Sequence, residues 1–145
     1  FGSFNLPEVW AAEIPAANCI TDARSLAKLY AATVSEVEAA DGSTAPRLFS
    51  DATLESATTV QTSGTDLVLM DMDVQYGLGF NVPSAALKLG GPRSFGHYGA
   101  GGSLGFADPD AELGFAYVMN KMYLGMSGDP RSSRLIDAAY DCLGS

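Results

Sequence analysis

The apolar positions change period along the chain. Residues 1–20, "FGSFNLPEVWAAEIPAANCI", hold two prolines and no sustained period. They read as irregular, with a short helical turn near Val9 to Glu13. Ala23, Leu26, Ala27, Tyr30 and Val34 then recur at helical spacing. Thr21 precedes them as an N-cap, and Asp22 stands in the first turn, where negative charge suits the helix dipole. The spacing predicts a helix over Asp22–Ser35. "EAADGSTAPRLF" is a loop by its Asp-Gly and Pro signals. Ser50 to Glu55 looks like a second capped start, for a helix ending near Thr58. "TVQTSGTD" reads as a polar connector.

From Asp66 the alternation favours strands. "DLVLMDMD" (66–73) is apolar and partly alternating, and "VQYGLGFNV" continues as a second extended piece broken by Gly77 and Gly79. Ser94–Tyr98 is short and strand-like. Gly99 to Gly102, "GAGG", marks a tight feature. Ser103–Ala107 and Leu113–Asn120 are strands joined by "DPDAE", a turn too short for anything but an antiparallel pair. The tail is an amphipathic helix: Asp129 caps it, Pro130 takes its first position and Gly144 ends it. Leu135, Ile136, Ala139, Tyr140 and Leu143 form the expected buried stripe. The fold class is therefore α+β, an antiparallel sheet packed with helices. A helical segment over 1–65 precedes strands and a final helix over 66–145, one partial domain in all.

The composition narrows the function classes. A hydrophobic fraction of 47% in 145 residues supports a real core. The net charge of −9 would repel nucleic acid and anionic membrane surfaces. No apolar run approaches a membrane span. A soluble chain is expected, with a cytoplasmic location favoured. The first residue is Phe1 and no secretory pattern follows, so processing or incomplete coverage of a longer gene product is expected to set the start. Cys19 and Cys142 read as two buried free thiols. With a single histidine and no ligand spacing, neither a zinc site nor any other cofactor is expected.

Residues 95–120, "FGHYGAGGSLGFADPDAELGFAYVMN", resemble the C-terminal region of the β-lactamase-related serine hydrolases: class C β-lactamases, D,D-peptidases and the esterases that share their fold. "YGLGF" (76–80) resembles the preceding strand, and "EIPAANCITDARSLAKLYAA" (13–32) resembles a segment that usually reads P-A-x-N-G, with Cys19 at the glycine. The resemblance implies the C-terminal portion of the β-lactamase/transpeptidase-like fold. It also implies an acyl-enzyme mechanism on a small-molecule ester or amide. Its third box lies on an edge strand, as K-T-G or, in esterases, H-x-G; here it would be His97-Tyr98-Gly99. The resemblance implies a cleft role for His97 in hydrogen bonding or proton transfer. It places Tyr98 and Gly99 against substrate and makes the Ala100 N–H an oxyanion donor. Tyr98 in place of Thr leans towards an esterase.

Ser25-Leu26-Ala27-Lys28 fits S-x-x-K, the pattern that holds the nucleophile in penicillin-recognising enzymes. Ser25, however, falls in the second turn of its predicted helix, and with Lys28 it lies opposite the apolar face. We read the match as a decoy. The family's Y-x-N box is also missing, since Tyr117-Val118-Met119-Asn120 has the wrong spacing. The nucleophile, its lysine and the tyrosine base are therefore expected on a segment outside this chain. The expected partners are that N-terminal part or a second copy of the chain. Plainer readings stand beside these. His97 is equally a half-buried strand histidine, and the Gly99–Gly102 run a bulge and turn. Asp71 and Asp73, two residues apart on one strand face, read as a solvated pair ahead of a catalytic one. Met70, Met72, Met119, Met122 and Met126 read as core or core margin.

Overall fold

The computed structural model describes residues 2–69, 71–125 and 128–144. A 3-10 turn (Gly2–Asn5) and a short helix α1 (Pro7–Ala11) lead to α2 (Ala23–Val34). A small hairpin follows, β1 (Val37–Glu38) with β2 (Thr44–Ala45), and then α3 (Asp51–Thr58). The main sheet holds β3 (Thr62–Asp66), β4 (Met72–Tyr76), β5 (Asn81–Val82), β6 (Phe95–Tyr98), β7 (Leu104–Asp108) and β8 (Leu113–Tyr117). They lie in chain order, every neighbouring pair antiparallel. Helix α4 (Pro130–Leu143) closes the chain. None of these helices is long and apolar enough to cross a membrane.

Alternation along β7 builds both core layers. Leu104 and Phe106 pack with Leu89 and with Ile136 of α4. Ala107 and Phe95 pack on the other face with Val82 and with Leu54 and Ala57 of α3. Helix α2 lies on this second face, against β7 and β8. At Gly114 the helix comes so close that a Cβ would stand 2.3 Å from both the Ala27 carbonyl oxygen and the Ala31 nitrogen.

The helix caps follow local chemistry. Ser50 caps α3 by accepting from the Thr53 N–H, and Asp129, Pro130 and Gly144 take their expected places on α4, Gly144 at φ 75°. The cap of α2 moves by one residue: Asp22, not Thr21, accepts from the Ser25 N–H at 2.7 Å. That bond puts Ser25 in the first turn of α2 and not the second.

The strand expected over Asp66–Asp73 is instead the tip of a hairpin. The Asp66 carboxylate accepts from the Val68 and Leu69 N–H groups at 2.8 and 3.0 Å and turns the chain there. Asp71 sits in the turn at φ 63° and only Asp73 is on β4, so the two carboxylates do not share a strand face. The supposed polar connector supplies β3, because "TSGTD" finds its partner in "MDVQY". In α4 the buried stripe is Ser132 and Ile136, with Ala139 and Tyr140 half-buried. Leu135 and Leu143 point outward, since the helix is turned to set Ile136 against the sheet. Both cysteines are free but exposed, Cys19 in the irregular entry segment and Cys142 on the outer side of α4. Met72 and Met119 are half-buried and Met122 is exposed, while Met70 and Met126 lie outside the described residues.

One polar contact ties α4 to the sheet. Asp108, at the end of β7, is buried; its carboxylate accepts from the Tyr140 hydroxyl and from the Gly91 N–H at 2.8 Å. The Tyr140 hydroxyl also accepts from the Gly91 N–H at 2.9 Å. Burial and the neighbouring Asp108 push the Tyr140 phenol well above its usual range, so it remains a donor at neutral pH. Tyr140→Phe keeps the ring and removes the hydroxyl's bonds, leaving the Gly91 N–H on Asp108. It is expected to cost about 2 kcal/mol, the scale of a hydrogen bond to a buried charge. Urea unfolding checks this as a lower midpoint at unchanged slope.

Candidate active site

The sheet leads to one cleft. Strand β6 pairs with β7 along its whole length, from Phe95↔Ala107 to Tyr98↔Leu104. On its other side it meets β5 only at Asn81↔Gly96. It is therefore an interior strand as far as Gly96, not the edge strand expected. From His97 onward that side opens onto the cleft.

The β6–β7 connection is tight. The Gly99 N–H donates to the Ser103 carbonyl at 2.7 Å, and the Gly102 N–H to the Gly99 carbonyl at 3.1 Å. Gly101 and Gly102 take φ of 88° and 102°, a region that side chains rarely adopt. Ala100 is exposed at the tip, and its N–H has no acceptor among the described residues.

Two cavities, of about 560 and 610 Å³, meet at this tip and share Gly99, Ala100 and Met122. The first is walled by the entry segment, with Phe4, Trp10, Asn18 and Ile20. The second holds His97 and Tyr98, with Val68, Leu69 and Met72 on one side and Tyr123 and Leu124 on the other. The structure thus brings His97, Tyr98, Gly99 and Ala100 together on the second cavity.

His97 is exposed, with Nδ1 2.6 Å from the Tyr98 carbonyl oxygen. A carbonyl only accepts, so Nδ1 carries the proton in this contact and Nε2 is left to the cleft. Tyr98 is half-buried and donates its hydroxyl to the Lys88 carbonyl. Burial pushes its phenol up to about 12. It stays protonated at neutral pH and presents its ring, not a base.

Ser25 and Lys28 are both exposed and line neither cavity. Sequence reasoning missed the cavity walls. Val68, Leu69, Tyr123 and Leu124 follow no period, and only their apolar character beside turn residues marked them. Leu124 and Val68 are 87% and 88% exposed.

Strand β6 thus ends, half-open, in a glycine hairpin beside two cavities. The Beta-lactamase family profile matches residues 2–140, and the chain belongs to that family. It is 36% identical over 112 residues to the esterase/beta-lactamase LipL of Mycobacterium tuberculosis, covering 77% of this chain and 24% of that protein. Its fold matches EstA from Arthrobacter nitroguajacolicus at a TM-score of 0.86 and 33% identity, over 97% of this chain and 37% of EstA. It matches a family VIII carboxylesterase at 0.79 and 38%, over 94% of this chain and 36% of that one. The chain therefore spans only a quarter to two fifths of the length of these relatives.

Proposed function

We propose that this chain is the C-terminal portion of a serine hydrolase, of esterase type, that works through an acyl-enzyme. The observation that carries the reading is the Ala100 N–H, without an acceptor among the described residues and exposed where the two cavities meet. A serine on a segment outside these residues attacks the carbonyl carbon of a small ester or amide. The carbonyl oxygen becomes an oxyanion, held between that serine's own N–H and the Ala100 N–H. Collapse expels the alcohol or amine, which takes up the proton the serine gave up on attack, and water then adds to the acyl-enzyme and releases the acid with the serine restored. With its proton on Nδ1, His97 offers the Nε2 lone pair as acceptor to the attacking water. Gly99 lets the substrate lie close to the strand, and Tyr98 forms the floor beneath it.

The chain alone is expected to be inactive. Hydrolysis of a nitrophenyl ester should appear when the N-terminal part of the protein is added, and its continued absence would count against the reading.

One observation favours a second reading, a non-catalytic binding or assembly module. The outer edge of β8, "LGFAY", has no partner strand among the described residues and carries neither proline nor charge to guard it. Light scattering after size exclusion separates the two. A stable dimer would support assembly through this edge, and a clean monomer would weaken it.

A further inference from the structure

Among the helix caps, Asp129 is unusual because it is fully buried, whereas Asp22 and Ser50 cap their helices from exposed positions. A cap alone does not need burial, and a buried carboxylate is costly unless it is paired. Asp129 is paired with Arg131. It accepts from the Arg131 backbone N–H at 2.9 Å and from Nε at 2.8 Å, with Nη2 at 2.5 Å.

Both members of the pair reach the hairpin tip. A Cβ on Gly102 would stand 2.8 Å from the Asp129 side chain, so the carboxylate packs directly on that glycine. The Arg131 Nη2 also donates to the Lys121 carbonyl at 2.9 Å, and its guanidinium lies 5.9 Å from the Tyr117 ring centroid. Lys121 is followed by two residues that hold the tip from the other side. Met122 packs on Gly101, and the Tyr123 N–H donates to the Gly101 carbonyl at 2.8 Å.

We propose that Asp129 and Arg131 are positioning residues that clasp the Gly99–Gly102 tip and hold the Ala100 N–H in its working direction. The inference rests on the reading of that N–H as an oxyanion donor. The physical reason is that a glycine turn has many accessible conformations, whereas an oxyanion donor works only if it is aimed before the reaction begins. The ion pair spans the two segments that flank the tip and removes that freedom.

The test compares the wild-type chain with Arg131→Met and Arg131→Lys by amide hydrogen exchange. The same variants are then assayed on a nitrophenyl ester in protein that includes the nucleophile-bearing segment. In Arg131→Met, exchange at the Gly99, Gly102 and Tyr123 amides should rise about tenfold or more while the β7–β8 ladder stays protected. Arg131→Lys keeps the charge without the planar fork and should fall between. In the assay Arg131→Met should lower kcat about tenfold, with KM within about twofold. Faster exchange throughout the sheet, or none at the tip, would overturn the clasp. Local loosening with unchanged kcat would overturn the positioning role. If the wild type itself hydrolyses nothing, the serine-hydrolase reading fails, and the positioning role with it, while the exchange pattern still decides whether the clasp exists.

Discussion

Gly114→Ala is expected to be among the most destabilising single-methyl changes in this chain. The added carbon would lie 2.3 Å from the Ala27 oxygen and the Ala31 nitrogen, both backbone atoms of α2. A flexible side chain can swing aside, but a helix backbone moves only as a whole. Moving it would part α2 from β7 and β8, the layer that holds Tyr30 and Val34 against Phe95 and Ala107. Overpacking ordinarily costs about 1–3 kcal/mol, and a clash with two backbone atoms belongs at the upper end. Against a total stability of about 5–15 kcal/mol, the loss is large. Urea unfolding should show a midpoint lower by about 1 M or more. Gly2→Ala serves as the control, because nothing stands within 4 Å of the added carbon. Equal midpoints for the two variants would show that α2 does not pack as closely as described.

Ala100→Pro is expected to have the largest effect on catalysis. Proline has no N–H, so the change removes the proposed donor while adding little bulk at an exposed tip. Loss of one oxyanion donor lowers kcat by about 100- to 1000-fold. The assay again requires protein that includes the nucleophile. Ala100→Gly keeps the N–H and should stay within about tenfold of the wild type. The urea midpoint of Ala100→Pro tells loss of the donor apart from loss of the fold. Wild-type turnover by a folded Ala100→Pro protein would remove Ala100 from the mechanism.

What was legible in the sequence was mostly local. Ser50, Asp129, Pro130 and Gly144 announced their helix ends because capping is decided within a few residues. The α2 face and the β6–β8 strands were visible in periodicity and turn chemistry. The β3–β4 hairpin was not. "LVLM" carries the strand-like composition, yet the Asp66 side chain turns the chain there, and the polar "TSGTD" becomes a strand only because β4 lies beside it. Pairing of that kind is non-local and leaves no mark in a short window. The same division holds at the site. His97, Tyr98, Gly99 and Ala100 stood out as one short run and do line one cavity. The walls come from Asp66, Val68, Leu69 and Met72 and from residues 122–125, far apart in the chain and without a period. Asp129 read as an ordinary cap, because its packing on Gly102 and the bond from Arg131 to Lys121 exist only once the chain is folded.

The central claim is that this chain carries an oxyanion donor but not the nucleophile. Labelling with a fluorophosphonate, read by intact mass and peptide mapping, tests it most directly. The chain alone should take up no adduct. Protein that includes the N-terminal part should take up one, on a serine of that part. An adduct on Ser25, at the exposed start of α2, would contradict the account and make "SLAK" a working nucleophile.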